Sequence, residues 1–373
     1  MKNFFEKFRA DESYWLEDYA LFAAIKKQNN DGYWIEWDEK IKQRDSKTLA
    51  SLREKLAEEI LYFEFEQYIF STQWQKLHAY ANERGIQILG DMPIFVSADS
   101  ADVWANPKLF KLLESGRPEK VAGVPPDYFS ATGQLWGNPQ YDWDEMKAEN
   151  YSWWKLRFKK LYALVDIVRI DHFRGFESYW SVDGDAENAI KGEWLKGPGK
   201  PFFDVIKKEF GDSAQIVAED LGIITDEVEY LRQACGFPGM KILHFELHFN
   251  EDGRIGFVAP ENSLTYTGTH DNNTTVGWFM EDVDNLSKPT IAALLGADAR
   301  RPDDVCQKLI EFAYASDSRY AIIPMQDVLK LDSRARMNTP GTVGTNWAWQ
   351  LKADYQLEAE AGKLKALCNK YLR

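Results

Sequence analysis

Asp171, Glu219 and Asp271 each follow a short apolar run, over residues 163–170, 215–218 and 264–269 respectively. An apolar run of that length closing on a carboxylate reads as a buried parallel strand that delivers a functional group at its C-terminal end. The pattern recurs where residues 86–90 run into Asp91 and where 320–325 lead to Asp327, and residues 240–247 make a sixth run. Paired carboxyl groups in unlike surroundings suit retaining glycoside chemistry, in which one is ionised as nucleophile and the other protonated as acid and later base. Arg169 stands two residues before Asp171, on the same side of a strand, and favours the ionised nucleophile. Glu219 follows Ile216-Val217-Ala218 with no cation beside it, so an apolar strand end is expected to keep it protonated for general-acid work. Asp271 lies in Thr269-His270-Asp271-Asn272-Asn273, a cluster of short hydrogen-bonding groups suited to gripping sugar hydroxyls as positive charge develops at an anomeric carbon.

Other titratable residues are assigned to structure. Asp220 is expected to cap the turn into Leu221-Gly222. His78 falls in an amphipathic helix, His244 and His248 fall along an apolar run, and none has a His-Glu-x-x-His context, so no metal site is predicted.

Six runs, most of them ending on polar groups, are what a parallel barrel gives. The main acids are 48 and 52 residues apart, above the ~31 residues per βα unit of a ~250-residue eightfold barrel, which implies loop insertions. Residues 46–84 are strongly helix-forming, with Leu49, Leu52, Leu56, Ile60 and Phe63 at helical spacing and Gly85 as the stop. Residues 93–150, rich in Pro, Gly, Asp and aromatics, read as an inserted loop subdomain over the active-site face. Residues 33–37 alternate and read equally well as a strand or an aromatic loop. With no linker and no internal repeat, residues 1–373 read as a single catalytic domain.

The net charge of -14 and pI near 5.0 disfavour nucleic acid and anionic membranes as partners and suit a neutral ligand. Cys235, Cys306 and Cys368 are scattered and odd in number, which points to reduced thiols and a cytoplasmic protein. No run reaches the ~18 apolar residues of a membrane span, and no signal peptide is read. Several of the 14 Trp sit among turn formers, as Trp136 does in Gln134-Leu135-Trp136-Gly137-Asn138-Pro139, where an aromatic face suits a pyranose ring.

Three blocks resemble signatures of the 4-α-glucanotransferases, also called amylomaltases: Arg169-Ile170-Asp171-His172-Phe173-Arg174-Gly175, Ala218-Glu219-Asp220-Leu221-Gly222 and Thr269-His270-Asp271-Asn272. Gly90-Asp91-Met92-Pro93-Ile94-Phe95-Val96, Gly123-Val124-Pro125-Pro126-Asp127-Tyr128-Phe129 and Gly344-Thr345-Asn346-Trp347 agree. The resemblance runs from about Asp18 to the C-terminus, with no counterpart of the family's opening stretch. It implies an α/β fold, a (β/α)8 TIM-type barrel with loop and helical insertions, incomplete at its N-terminus. It implies Asp171 as nucleophile, Glu219 as acid/base and Asp271 as transition-state stabiliser. Asp91, Arg169, His172, His270, Asn272 and Asn346 would bind sugar near the cleavage point, and Asp127, Tyr128, Phe129 and Trp136 would belong to a mobile loop over the acceptor. Substrates would be α-1,4-glucans, maltooligosaccharides and glucose, with no cofactor or metal. An α-amylase-like hydrolase and an inactive glucan-binding remnant are the competing expectations.

Overall fold

The computed structural model describes residues 2–126, 130–211, 214–247, 257–355 and 357–373. The fold is α/β, and the chain divides into two compact units, Met1–Gly236 and Phe237–Arg373. Each unit carries its own three-stranded parallel sheet.

The strands of the first unit are β1 (Leu89–Met92), β2 (Lys120–Val124), β3 (Gln134–Pro139), β4 (Ile167–Ile170), β5 (Ser178–Asp183), β6 (Gly192–Lys196) and β7 (Ile216–Ala218). The parallel sheet has the order β1-β4-β7. Every residue of β4 and of β7 is buried, which is why these strands read as continuous apolar runs rather than as alternation: both faces are covered. Register pairs Asp91 with Arg169 and Ile170 with Ala218. The ladder continues past the strand ends, where the Asp171 amide donates to Met92 O and the Glu219 amide to Ile170 O, both at 3.0 Å. Both acids therefore stand at the C-terminal edge.

The remaining four strands form an antiparallel sheet in the order β3-β2-β5-β6. Residues 93–150 supply β2, β3 and the short helices Ala101–Ala105 and Trp143–Ala148. The pairing partners β5 and β6 come from the segment after Asp171.

One local expectation changes, and one open alternative is decided. The strand predicted over residues 86–90 begins instead at Leu89, because the Ile86 amide donates 3.0 Å back to Ala81 O and so belongs to the stop of helix Ala57–Asn82. Gly85 provides that stop at φ +71°, a backbone region that costs a glycine nothing. Residues 33–37 are not a strand. Trp34–Glu36 is a 3-10 turn, whose period of three carries Trp34 and Trp37 to one side. Trp37 packs on Phe22 and Trp104, with ring centroids 5.2 and 6.0 Å away, whereas alternation would have sent neighbouring rings to opposite faces.

In the second unit β8 (Gly239–Ile242), β9 (Ser263–Tyr266) and β10 (Tyr320–Ile322) form a parallel sheet in the order β8-β9-β10. The apolar run 240–247 is strand only as far as Ile242 and then turns helical over Leu243–Glu246. Helix Pro302–Ala315 lays Leu309 and Ala313 against Leu243, all three fully buried.

Candidate active site

The first unit gathers a compact charge cluster at the C-terminal edge of its parallel sheet. Arg169, 6% exposed, lies in the middle strand and reaches two carboxylates. Its Nη1 donates 2.7 Å to Asp91 on β1 and 3.0 Å to Asp171 at the end of β4. Burial alone would lower the guanidinium's pKa, but the charges of Asp91 and Asp171 outweigh it and hold the group above its ordinary range. The cation is thus permanent, and the two carboxylates that share it are anchored by charge-assisted bonds.

Glu219, one strand over, is in a different environment. It is 8% exposed, and its two oxygens accept backbone amides, Oε2 from His172 at 2.7 Å and Oε1 from Leu221 at 2.8 Å. Desolvation and the nearby Asp171 charge raise its pKa to about 7, against the opposing pull of Arg169 and the two amides. Two carboxyl groups on neighbouring strands therefore have unlike surroundings, one on a guanidinium and one buried among backbone amides.

The turn after Asp171 is pinned from below. His172 sits in the left-handed region at φ 51°, and Phe173 and Phe176 follow it into the core. Phe173 lies tilted 5.5 Å from Phe203, and Phe176 stacks 5.1 Å from Phe202, both partners on helix Gly199–Phe210. This aromatic layer holds the Phe173 amide within 3.2 Å of Glu219 O. Burial, and secondarily Arg174, lower the pKa of the His172 imidazole to about 3, so the ring is neutral. Trp136 on β3 meets that ring edge-on with centroids 4.8 Å apart and remains 37% exposed.

In the second unit Asp271 follows β9 by way of His270. Asn338 Nδ2 donates 2.6 Å to Asp271 Oδ1, and Arg336 donates 2.7 Å to the Asp271 carbonyl. His270 Nε2 is 3.4 Å from Asp271 Oδ2, and its ring lies 5.1 Å from Trp347. Asn338 and Arg336 escape sequence reasoning because the loop that carries them has no apolar run to mark it. Among the described residues no group of three or more His, Cys, Asp or Glu is placed to hold a metal ion.

Comparison with known proteins then bears on this arrangement. The family model described as 4-alpha-glucanotransferase matches residues 1–356. The chain belongs to the 4-alpha-glucanotransferase family. The 4-alpha-glucanotransferase of Streptococcus pneumoniae is 47% identical over 99% of this chain and 73% of its own length. The chloroplastic/amyloplastic enzyme of Arabidopsis thaliana is 44% identical over 98% of this chain and 64% of its own. Among solved structures, the amylomaltase from Streptococcus agalactiae in complex with acarbose superposes with a TM-score of 0.94 at 40% identity, over 100% of this chain and 75% of that one. The family match begins at residue 1, so the resemblance starts earlier than the Asp18 inferred from motifs. Helices Lys2–Asp11 and Ser13–Gln28 carry no catalytic motif to mark that stretch in the sequence.

The other predicted residues of this glucanotransferase-family chain fall as follows. Asn272 turns inward, its Oδ1 accepting from the Thr269 amide and hydroxyl at 2.8 Å, and Asn346 braces the 339–346 loop by accepting from the Thr339 amide and donating to Thr342. Asp127, Tyr128 and Phe129, like His248, lie outside the described residues. Asp220 pairs with Arg232 at 3.3 Å, because the helix Asp226–Cys235 brings a buried cation to it. His78 pairs with Asp166 at 3.0 Å, and His244 stacks on Trp278 at 4.5 Å.

Among the described residues no helix is long and apolar enough to cross a membrane.

Proposed function

We propose that this chain transfers segments of α-1,4-glucans to the 4-hydroxyl of a glucose or glucan acceptor by a retaining double displacement. The observation that carries the mechanism is the unlike setting of two neighbouring acids: Asp171 on the Arg169 guanidinium, and Glu219 buried with its pKa raised to about 7. Glu219 protonates the glycosidic oxygen as Asp171 attacks the anomeric carbon, so the glycosidic bond breaks, the leaving sugar departs with a free 4-hydroxyl, and a covalent glycosyl-enzyme remains. Glu219, now a carboxylate, takes the proton of the incoming 4-hydroxyl as its oxygen displaces the Asp171 carboxylate from the anomeric carbon and the bond is rebuilt with retained configuration. Asp271, with His270 beside it, is assigned to the sugar hydroxyls as charge develops. Asp91, Arg169, His172, Asn272 and Asn346 are assigned to the sugar at the cleavage point, and Trp136 with Asp127, Tyr128 and Phe129 to the acceptor side.

The six parallel strands are read as part of a (β/α)8 barrel, with residues 93–150 inserted above its catalytic edge. This is supported by acids that recur at strand ends and by the likeness to amylomaltase structures. The three cysteines are free, in keeping with a reducing compartment such as the cytoplasm. Neutral maltooligosaccharides and glucose suit the acidic surface as substrates, and no cofactor is invoked in the steps above.

Incubation with maltotriose tests the reading. Transfer yields glucose together with oligomers longer than the substrate. Glucose and maltose without longer products would make the enzyme a hydrolase, and binding to amylose with no turnover would make it a glucan-binding protein.

A further inference from the structure

Arg174 follows Asp171 by three residues, in the 3-10 turn Phe173–Phe176, and is 6% exposed. It does not reach the Asp171 carboxylate. Its Nη1 donates instead to the carbonyl of Ile223, in the loop that follows β7. Its guanidinium lies over the ring of Trp194 on β6, 4.0 Å from the centroid, so the side chain is seated from a second direction.

The two segments joined by Arg174 are those that grip Glu219. The 172–173 turn supplies the His172 amide to Oε2 and the Phe173 amide to the Glu219 carbonyl. The 221–223 loop supplies the Leu221 amide to Oε1. Between Leu221 and Ile223 stands Gly222 at φ +82°, a tight reversal that points the Leu221 amide inward and the Ile223 carbonyl toward Arg174. The contacts form a closed ring that runs from Glu219 Oε2 through His172 to Arg174, on to Ile223, and back through Leu221 to Oε1.

We propose that Arg174 is a positioning residue for the acid/base step, holding the 221–223 loop so that the Leu221 amide stays on Glu219. This rests on the reading of Glu219 as acid/base. The other charges facing Glu219 belong to Asp171 and Arg169 on the β4 side and to Asp91 through Arg169, while Asp220 is taken up by Arg232. None of these contacts passes through Arg174. Loss of the Ile223 bond frees the loop, the Leu221 amide drifts, and an interaction that favours the carboxylate form of Glu219 weakens. The Glu219 pKa then rises, and the glutamate loses its fixed aim at the glycosidic oxygen.

The test uses Arg174→Met, which keeps apolar length but has no donor, Arg174→Lys, which restores a donor and a charge, and the surface change Trp194→Leu, which loosens the seat without touching the core. Glu219 is titrated by 13C NMR of carboxyl-labelled glutamate, its signal identified as the one lost in Glu219→Gln. In Arg174→Met the midpoint should move up by about half to one pH unit, and Arg174→Lys should return most of that shift. Trp194→Leu should give a smaller shift of the same sign, and it carries the test should Arg174→Met fail to fold. With maltotriose, kcat in Arg174→Met should fall about 10- to 100-fold, and the alkaline limb of kcat/KM should move with the midpoint. With α-maltosyl fluoride, whose leaving group needs little protonation, kcat/KM should stay within about twofold. An unmoved midpoint in Arg174→Met and Trp194→Leu, or an equal loss on both substrates, would overturn the proposal. Should Glu219→Gln keep the parent's alkaline limb, the acid/base assignment falls by itself, and the NMR midpoints still decide whether Arg174 positions the Leu221 amide.

Discussion

Glu219 and Asp327 are both buried acids that follow parallel strands, one in each unit, and burial pushes the pKa of both upward. What surrounds them differs. Asp327 is saturated by close donors: Thr267 Oγ1 at 2.6 Å, the Thr275 amide at 2.7 Å and Thr275 Oγ1 at 2.6 Å. It belongs to a hydroxyl-rich interior in which Ser263 and Thr265 on β9 also share Ser318. Glu219 accepts only amides from its own rim, and its other neighbours are the Asp171 carboxylate and the Arg169 cation. Burial of both thus goes with a fully hydrogen-bonded brace in one unit and, in the other, with the group proposed above to exchange a proton. The supply of fixed donors decides which.

The largest effect that would sharpen this contrast is at Asp171. Asp171→Asn should cut maltotriose disproportionation by on the order of 10^4-fold or more while leaving the melting temperature near the parent's. Retained activity would remove the nucleophile assignment. Glu219→Gln is next, with a loss of ~10^2 to 10^4 on natural glucans and a spared first-step burst on an aryl glycoside, where little protonation is needed. If both substrate types fall together, Glu219 is not the acid.

Asp327→Ala should behave in the opposite way. It strands two hydroxyls and an amide, and should cost about 2–4 kcal/mol in denaturant titration with an unchanged pH–rate profile in the folded fraction. A shifted profile would mean that the two acids are less distinct than their hydrogen bonds suggest.

The pH dependence of stability gives a fourth check. Glu219 has a folded pKa of about 7, above its unfolded value, so the native state holds the extra proton. Its unfavourable contribution is absent below the ordinary glutamate range and is fully developed once pH has risen through about 7. The Glu219→Gln variant should therefore gain on the parent across that window, read as the difference in melting temperature from pH 4 to pH 8. A constant difference would contradict the raised value. The smallest expected change is at Trp136: alanine there should weaken acceptor binding by ~1 kcal/mol and raise the ratio of hydrolysis to transfer on maltotriose. An unaltered product ratio would separate Trp136 from the acceptor.

Much was legible in the order of residues. The runs ahead of Asp171 and Glu219 are apolar because their strands are covered on both faces, and that pattern survives in one dimension. So does the link from Arg169 to Asp171, since alternation along a strand puts residues two apart on one side, and the apolar approach to Glu219 announced its desolvation. The tertiary structure decided what depends on distant partners. Asp91 shares the Arg169 guanidinium only through strand register, Asp220 pairs with Arg232 on the following helix, and Asn338 reaches Asp271 across 67 positions. Residues 33–37 are decided as a 3-10 turn in which Trp37 meets Phe22 and Trp104, partners remote in sequence. Local sequence carries periodicity and charge adjacency, whereas a hydrogen bond between remote segments depends on packing that no short window contains.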